Sequence, residues 1–158
     1  MDDLLPQLLE AWRTNNRVNL LLIDHIDEEG MQCSLSKRGG RNVVRQFAHL
    51  HNARLWHLEA RARDLMTGLE QFATHDEPAK DELKAALAAS AEALATFFTR
   101  CVTGEGKARP FKKGVISTFA YFVSHEAHHR GNILLTLKQC GHKIDAQVAW
   151  AIWDWEKL

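Results

Sequence analysis

The stretch Ser124–Ile133, S-H-E-A-H-H-R-G-N-I, places His125 and His129 four residues apart. On an α-helix, side chains at that spacing leave adjacent turns of one face, so both imidazoles point the same way. This is how a single helix offers two nitrogen ligands to one divalent metal. At about 100° per residue, Phe122, His125, His129, Ile133 and Thr136 share a stripe, so the pair is expected to face inward among apolar neighbours. Two imidazoles buried without partners would be costly, and a metal would satisfy both. His128 points off to the side.

The chain around this stretch reads as scaffolding of helical period. From Asp3 to about His25, Leu5, Leu8, Leu9, Trp12, Leu20 and Ile23 recur at helical spacing, with Pro6 in the first turns, where its missing N–H costs little. Asp27–Arg41, with Gly30, Gly39 and Gly40, reads as a connection or a short irregular segment. Asn42 can cap a second helix running to about Gly68, with Val44, Phe47, His51, Leu55, Leu58 and Leu65 on one stripe. Phe72–Pro78 is a turn in which Thr74 or Asp76 could cap a third, alanine-rich helix from Pro78 to Cys101. Thr103–Gly114 is a polar, basic loop. A fourth helix runs from Val115 or Ser117 to Cys140, ended by Gly141. The tail Asp145–Leu158, with Trp150, Trp153 and Trp155, forms a short closing helix or an apolar surface for a partner chain. The fold expected is all-α, a four-helix bundle with a short C-terminal helix, in one domain spanning residues 1–158.

Composition narrows the function classes. Hydrophobic content of 46% and charged content of 25% are ordinary for a globular protein. Lys+Arg and Asp+Glu both total 20, so no basic excess drives binding to nucleic acid or an anionic membrane. No apolar run approaches membrane-spanning length, and the start, M-D-D-L-L-P, is acidic where a signal peptide would be basic. Cys33, Cys101 and Cys140 form neither a CxxC pair nor a disulfide framework, which fits a reducing cytoplasm. The nine histidines gather at 49–57 and 125–129.

Two ligands make a weak site, so a third is expected from the second helix, which carries His49, His51 and His57. Helical phase alone selects His51, at the centre of the Phe47–Leu55–Leu58 stripe. A second criterion is resemblance. Val43–Arg54, V-V-R-Q-F-A-H-L-H-N-A-R, and H-E-A-H-H-R-G-N-I are similar to the helix-2 and helix-4 motifs of the DinB-like superfamily of metal-binding four-helix bundles. Helix order, length and the interval between the motifs agree, so the resemblance covers most of the chain. Asn132 stands where that family more often has Gln. The resemblance implies metal ligands at His49, His125 and His129, with His51 the rival to His49. It also implies a zinc or nickel cofactor at a three-histidine site with an open position, a small-molecule substrate, a low-molecular-weight thiol in some members, and a homodimer. The activity implied is that of a thiol-dependent transferase or a hydrolase. A non-catalytic module that binds metal or a small molecule is the alternative.

H-E-A-H-H also matches the H-E-x-x-H signature of zinc peptidases, with Glu126 as general base. The longer form of that signature is absent, since the next histidine is His142, thirteen residues beyond His129. The strand-rich half that lines such a cleft is missing too. Among the neighbours, Glu126 is expected at the surface or behind a ligand. Arg130 is expected to form an ion pair with a neighbouring helix. Asn52 and Arg54 could orient a histidine or lie at a helix edge. Tyr121 is expected to pack with its hydroxyl at the rim.

Overall fold

A computed structural model describes residues 4–158. The helices are α1 (Leu4–His25), α2 (Glu28–Met31), α3 (Val43–Arg61), α4 (Lys80–Thr103), α5 (Val115–Cys140) and α6 (Ala146–Ala151), with one 3-10 turn at Arg63–Met66. The described residues contain no strand, and four of the helices are long, as the periodicity predicts. Asp3, the expected first helical residue, lies outside the described residues.

Local chemistry accounts for most boundaries. Asn42 accepts a hydrogen bond from Arg45 N at 3.0 Å and so caps α3. The Asn42 amide also donates to Gln32 and Glu77, tying the flanking segments to this cap. Gly141 takes φ +84, and the N–H of His142 reaches back to Leu137 O at 2.9 Å, which closes α5.

Four expectations need correction. Asp27 accepts from Gly30 N and caps the short α2 inside what reads as a connection or a short irregular segment. The second long helix stops at Arg61, not Gly68, because Ala62 leaves helical geometry at φ −159, ψ 58. Neither Thr74 nor Asp76 caps α4. Asp76 instead accepts from Ala73 N at 2.7 Å, while Asp81 and Glu82 supply negative charge to the first turn. Finally, α4 is long and apolar enough to cross a membrane by length and composition, with mean hydropathy 1.2 over its best window. Its alanines raise that value, and Leu83, Leu87, Leu94, Phe97 and Phe98 are buried within the bundle, as in a core helix.

The core has two apolar halves. One gathers Leu22, Ile23, Phe47, Leu50, Leu83, Leu87, Ile133 and Leu137. The other gathers Trp12, Leu58, Leu94, Phe97, Phe98 and Phe122, with Trp12 edge-on to Phe98 and Phe122. Between them, on all four long helices, lies a polar layer: Asn15, Asn16 and Asn19 of α1, Arg54 of α3, Ser90 of α4, and Glu126 and Arg130 of α5. Within that layer Arg54 of α3 is bonded to Glu126 of α5.

Candidate metal centre

His49 sits on α3, and His125 and His129 sit on α5. The three rings meet where these helices run together: centroids are 5.3 Å apart for His49–His125 and 4.7 Å for both His49–His129 and His125–His129. One potential ligand atom of each lies within 4.8 Å of the others, and all three residues are partly buried. The i, i+4 spacing brings His125 and His129 together, and helix packing brings His49 to them.

His51, the choice of helical phase, is elsewhere. It is buried in the core, 1% exposed, with Nε2 2.9 Å from Glu70 O. The seam position belongs to residues of α3 two places away, a half-buried edge instead of the stripe's centre. The same holds for α5. Its deepest line is Phe122, Glu126, Ile133 and Leu137, and the histidine pair lies at that line's margin, not within it.

Burial lowers all three imidazoles from the ordinary value near 6.5. For His49, burial, the Arg41 charge and His125 push the pKa down to about 4. For His129, burial, the two partner imidazoles, His128 and Arg41 do the same, again to about 4. His125 is lowered by burial, against an opposing pull from Glu126. At neutral pH the rings are therefore uncharged, the form that offers a lone pair to a metal. His129 Nδ1 is buried and makes no hydrogen bond among the described residues. A donor set of neutral imidazoles containing an unpartnered buried nitrogen fits a divalent metal of borderline softness.

Aromatic rings hold the histidines from outside. Trp56 lies edge-on to His49 at 5.6 Å, and Tyr121 stacks on His125 at 5.9 Å and 14°. Tyr121 is exposed and packs at this rim, while Asn52 fastens the following loop by exchanging hydrogen bonds with Phe72.

The sequence places Glu126 near the surface or behind a ligand, and it is neither. It is buried and faces away from the seam. Arg54 Nε donates to one carboxylate oxygen at 2.7 Å and Nη2 to the other at 3.0 Å, while Asn15 and Asn19 add donors at 2.7 and 2.8 Å. Burial alone would raise this carboxyl, but Arg54 foremost, with Arg130 and Asn19, outweighs it and holds the group below the ordinary range. A carboxylate so fully engaged cannot serve as general base, which removes the peptidase reading of H-E-A-H-H. Arg130 donates to the neutral Asn19 and Asn15 of α1, whereas its ion pair, at 3.7 Å, is with Glu126 of its own helix and not with a neighbouring one as expected. Arg54, fully buried, lies neither at a helix edge nor beside a histidine of the seam. The asparagines of α1 escape the sequence reading, although three amides on the inward side of an apolar helix are a sign of a buried polar partner.

A family model, that of the DinB family, matches residues 1–151. No curated protein and no solved structure matches the chain.

Proposed function

Since the chain belongs to the DinB family, we propose that it holds one divalent ion, zinc or nickel, through His49, His125 and His129, and that it is a metal-dependent enzyme of thiol-transfer or hydrolytic type. The observation that carries this reading is the convergence of the three imidazoles within 4.8 Å, one of them with a buried, unpaired nitrogen. A bound ion of this kind would act as a Lewis acid, lowering the pKa of a water or thiol so that a nucleophile exists near neutral pH. The chain's own residues do the rest. Neutral His49 and His129 keep their lone pairs free of protons at working pH. Three protein ligands leave a coordination position for a small molecule. Tyr121 and Trp56 limit the rotation of His125 and His49.

Cys33 and Cys101 do not supply the thiol. Burial holds Cys33 and Cys101 up at about 11, Cys33 with the added effect of the neighbouring Cys140, so an external low-molecular-weight thiol would be the co-substrate. The unpaired cysteines fit a reducing, cytoplasmic setting. One observation favours a second reading, a module that binds without turnover: Glu126, the carboxylate adjoining the pair, is fully engaged and is not available as a base. For the whole molecule we propose a homodimer, supported by the outward tryptophans of the tail.

The test is elemental analysis of the wild type beside His49→Ala, His51→Ala and His129→Ala. The expected result is about one zinc or nickel per chain, lost with His49 or His129 and kept with His51→Ala. A wild type without metal after reconstitution defeats the proposal. Metal without turnover in a screen of thiols and electrophiles leaves the binding module.

A further inference from the structure

Beside His129 a cleft of about 400 Å³ opens between α5 and the segment that joins α2 to α3. Its lining includes Ser34, Ser36, Arg41, Gln46, Asn132 and Thr136, and no carboxylate is among the lining residues. Arg41 also lines the smaller opening on the other side of the cluster, beside His49 and Trp56. Arg41 thus lines openings that also include His49 and His129, and its charge bears on all three histidines.

Two features of this lining bear on what it could hold. Arg41 is exposed and makes no hydrogen bond or ion pair with any described residue, and it lines openings that include His49 and His129. A guanidinium kept for structure is paired with a carboxylate or carbonyl, as Arg54 is here. The three imidazoles are neutral at pH 7, so the Arg41 charge stands uncompensated beside them, and an anion from outside would offset it. The second feature is Gln46. It is 8% exposed, and its side-chain amide has no hydrogen-bond partner among the described residues although it borders the cleft. Its amide atoms open onto the cleft and are free to bond a molecule there. The nearby Asp76, which lines the smaller opening, is already bound to Ala73 N.

We propose that this cleft is the substrate subsite, and that it takes a small polar molecule carrying an oxyanion. Arg41 pairs with the anionic group through its planar fork, Gln46 adds an amide hydrogen bond, and the rest of the molecule lies against His129. Arg41 is a recognition residue here and takes no part in bond making. The assignment of substrate to this cleft rests on the three-histidine reading, whereas the anion site itself can be tested without metal.

Two arms separate these. In the first, metal-free protein labelled with ¹⁵N is titrated with acetate and with inorganic phosphate at constant ionic strength. Saturable shifts confined to the 34–46 segment and the 129–136 face are expected, and Arg41→Ala should abolish them. Whichever anion binds tighter tells a carboxylate ligand from a phosphate one. Absence of saturable shifts, or shifts that persist in Arg41→Ala, overturns the anion site whatever the metal result. In the second, cobalt(II) replaces the native ion, and thiolate-to-cobalt charge transfer reports binding of 3-mercaptopropionate and of 2-mercaptoethanol. The carboxylate-bearing thiol should bind about tenfold tighter. Arg41→Ala should remove that preference while leaving cobalt content and 2-mercaptoethanol affinity unchanged, and Gln46→Leu should reduce it in part. Equal affinities in the wild type place the anion away from the metal and overturn the substrate assignment. Failure to bind cobalt in this second arm defeats the metal reading alone.

Discussion

At position 126 a carboxylate is closed in by Arg54, Asn15 and Asn19, and removing its charge leaves Arg54 and Arg130 without a counter-ion. Breaking one side of such a buried pair costs about 3–5 kcal/mol. Glu126→Gln should lower stability by about that amount in urea denaturation while the metal content of the folded fraction stays near that of the wild type. A general base would behave in the opposite way, with stability intact and turnover lost, so the variant separates the two roles. The same residue marks how far single positions could be read in advance. The i, i+4 pair was legible because helical spacing alone sets it. His49 was legible only through motif resemblance, since helical phase identifies the most buried direction. A site that admits a ligand needs a half-buried edge, and so phase selected His51, which lies in the core against Glu70. Glu126 and Arg54 were not legible, because their meeting depends on the packing of α3 against α5 across 72 positions of sequence.

At the scale of elements, the α3–α5 seam ties titration to stability. His49 and His129 have ordinary pKa values near 6.5 in an unfolded chain and about 4 in the fold. Between those values the unfolded chain holds protons that the folded one refuses, so stability falls as pH drops from about 6.5 towards about 4, and these groups have no effect above that window. His125 and His57 are shifted the same way. The groups facing them are Arg41, Arg61 and His128, which deepen the shift, and Glu126, which opposes it at His125. Urea midpoints of metal-free protein at about pH 7, 6 and 5 should decline, with a shallower decline in a His49→Ala/His129→Ala double variant. Equal slopes in the two proteins would show that the cluster is not the source. The four long helices were legible, because apolar period and the caps at Asn42 and Gly141 are local, whereas the four-residue α2 was not. Nor was the end of α3. Arg61 O accepts from Arg109 N at 3.1 Å, and Leu65 and Met66 pack against the second half of the core. A tertiary demand therefore stops a helix where the sequence offers no breaker.

For the whole molecule, the tail raises the question of a second copy. Val148 and Ile152 turn inward and complete the core, whereas Trp150 and Trp153 are 77% and 76% exposed. Beside them an apolar cavity of about 300 Å³ runs along α5, lined by Val123, Ala127, Gly131, Leu134, Trp153 and Trp155. Contiguous exposed apolar surface of this kind commonly marks an interface, and a two-fold contact would let each copy's tail cover the other's α5. Because Ala127 and Gly131 flank residues 128–130 in sequence, such a contact would also brace the helix that carries the histidine pair. Sedimentation at micromolar concentration should then give a species of twice the 18.0 kDa chain. Trp153→Glu should return it to the monomer and, with α5 less supported, weaken metal retention. A wild type that sediments only as the 18.0 kDa chain would end the homodimer proposal. A dimer that Trp153→Glu leaves intact would place the interface on another face and separate the tail from the metal centre.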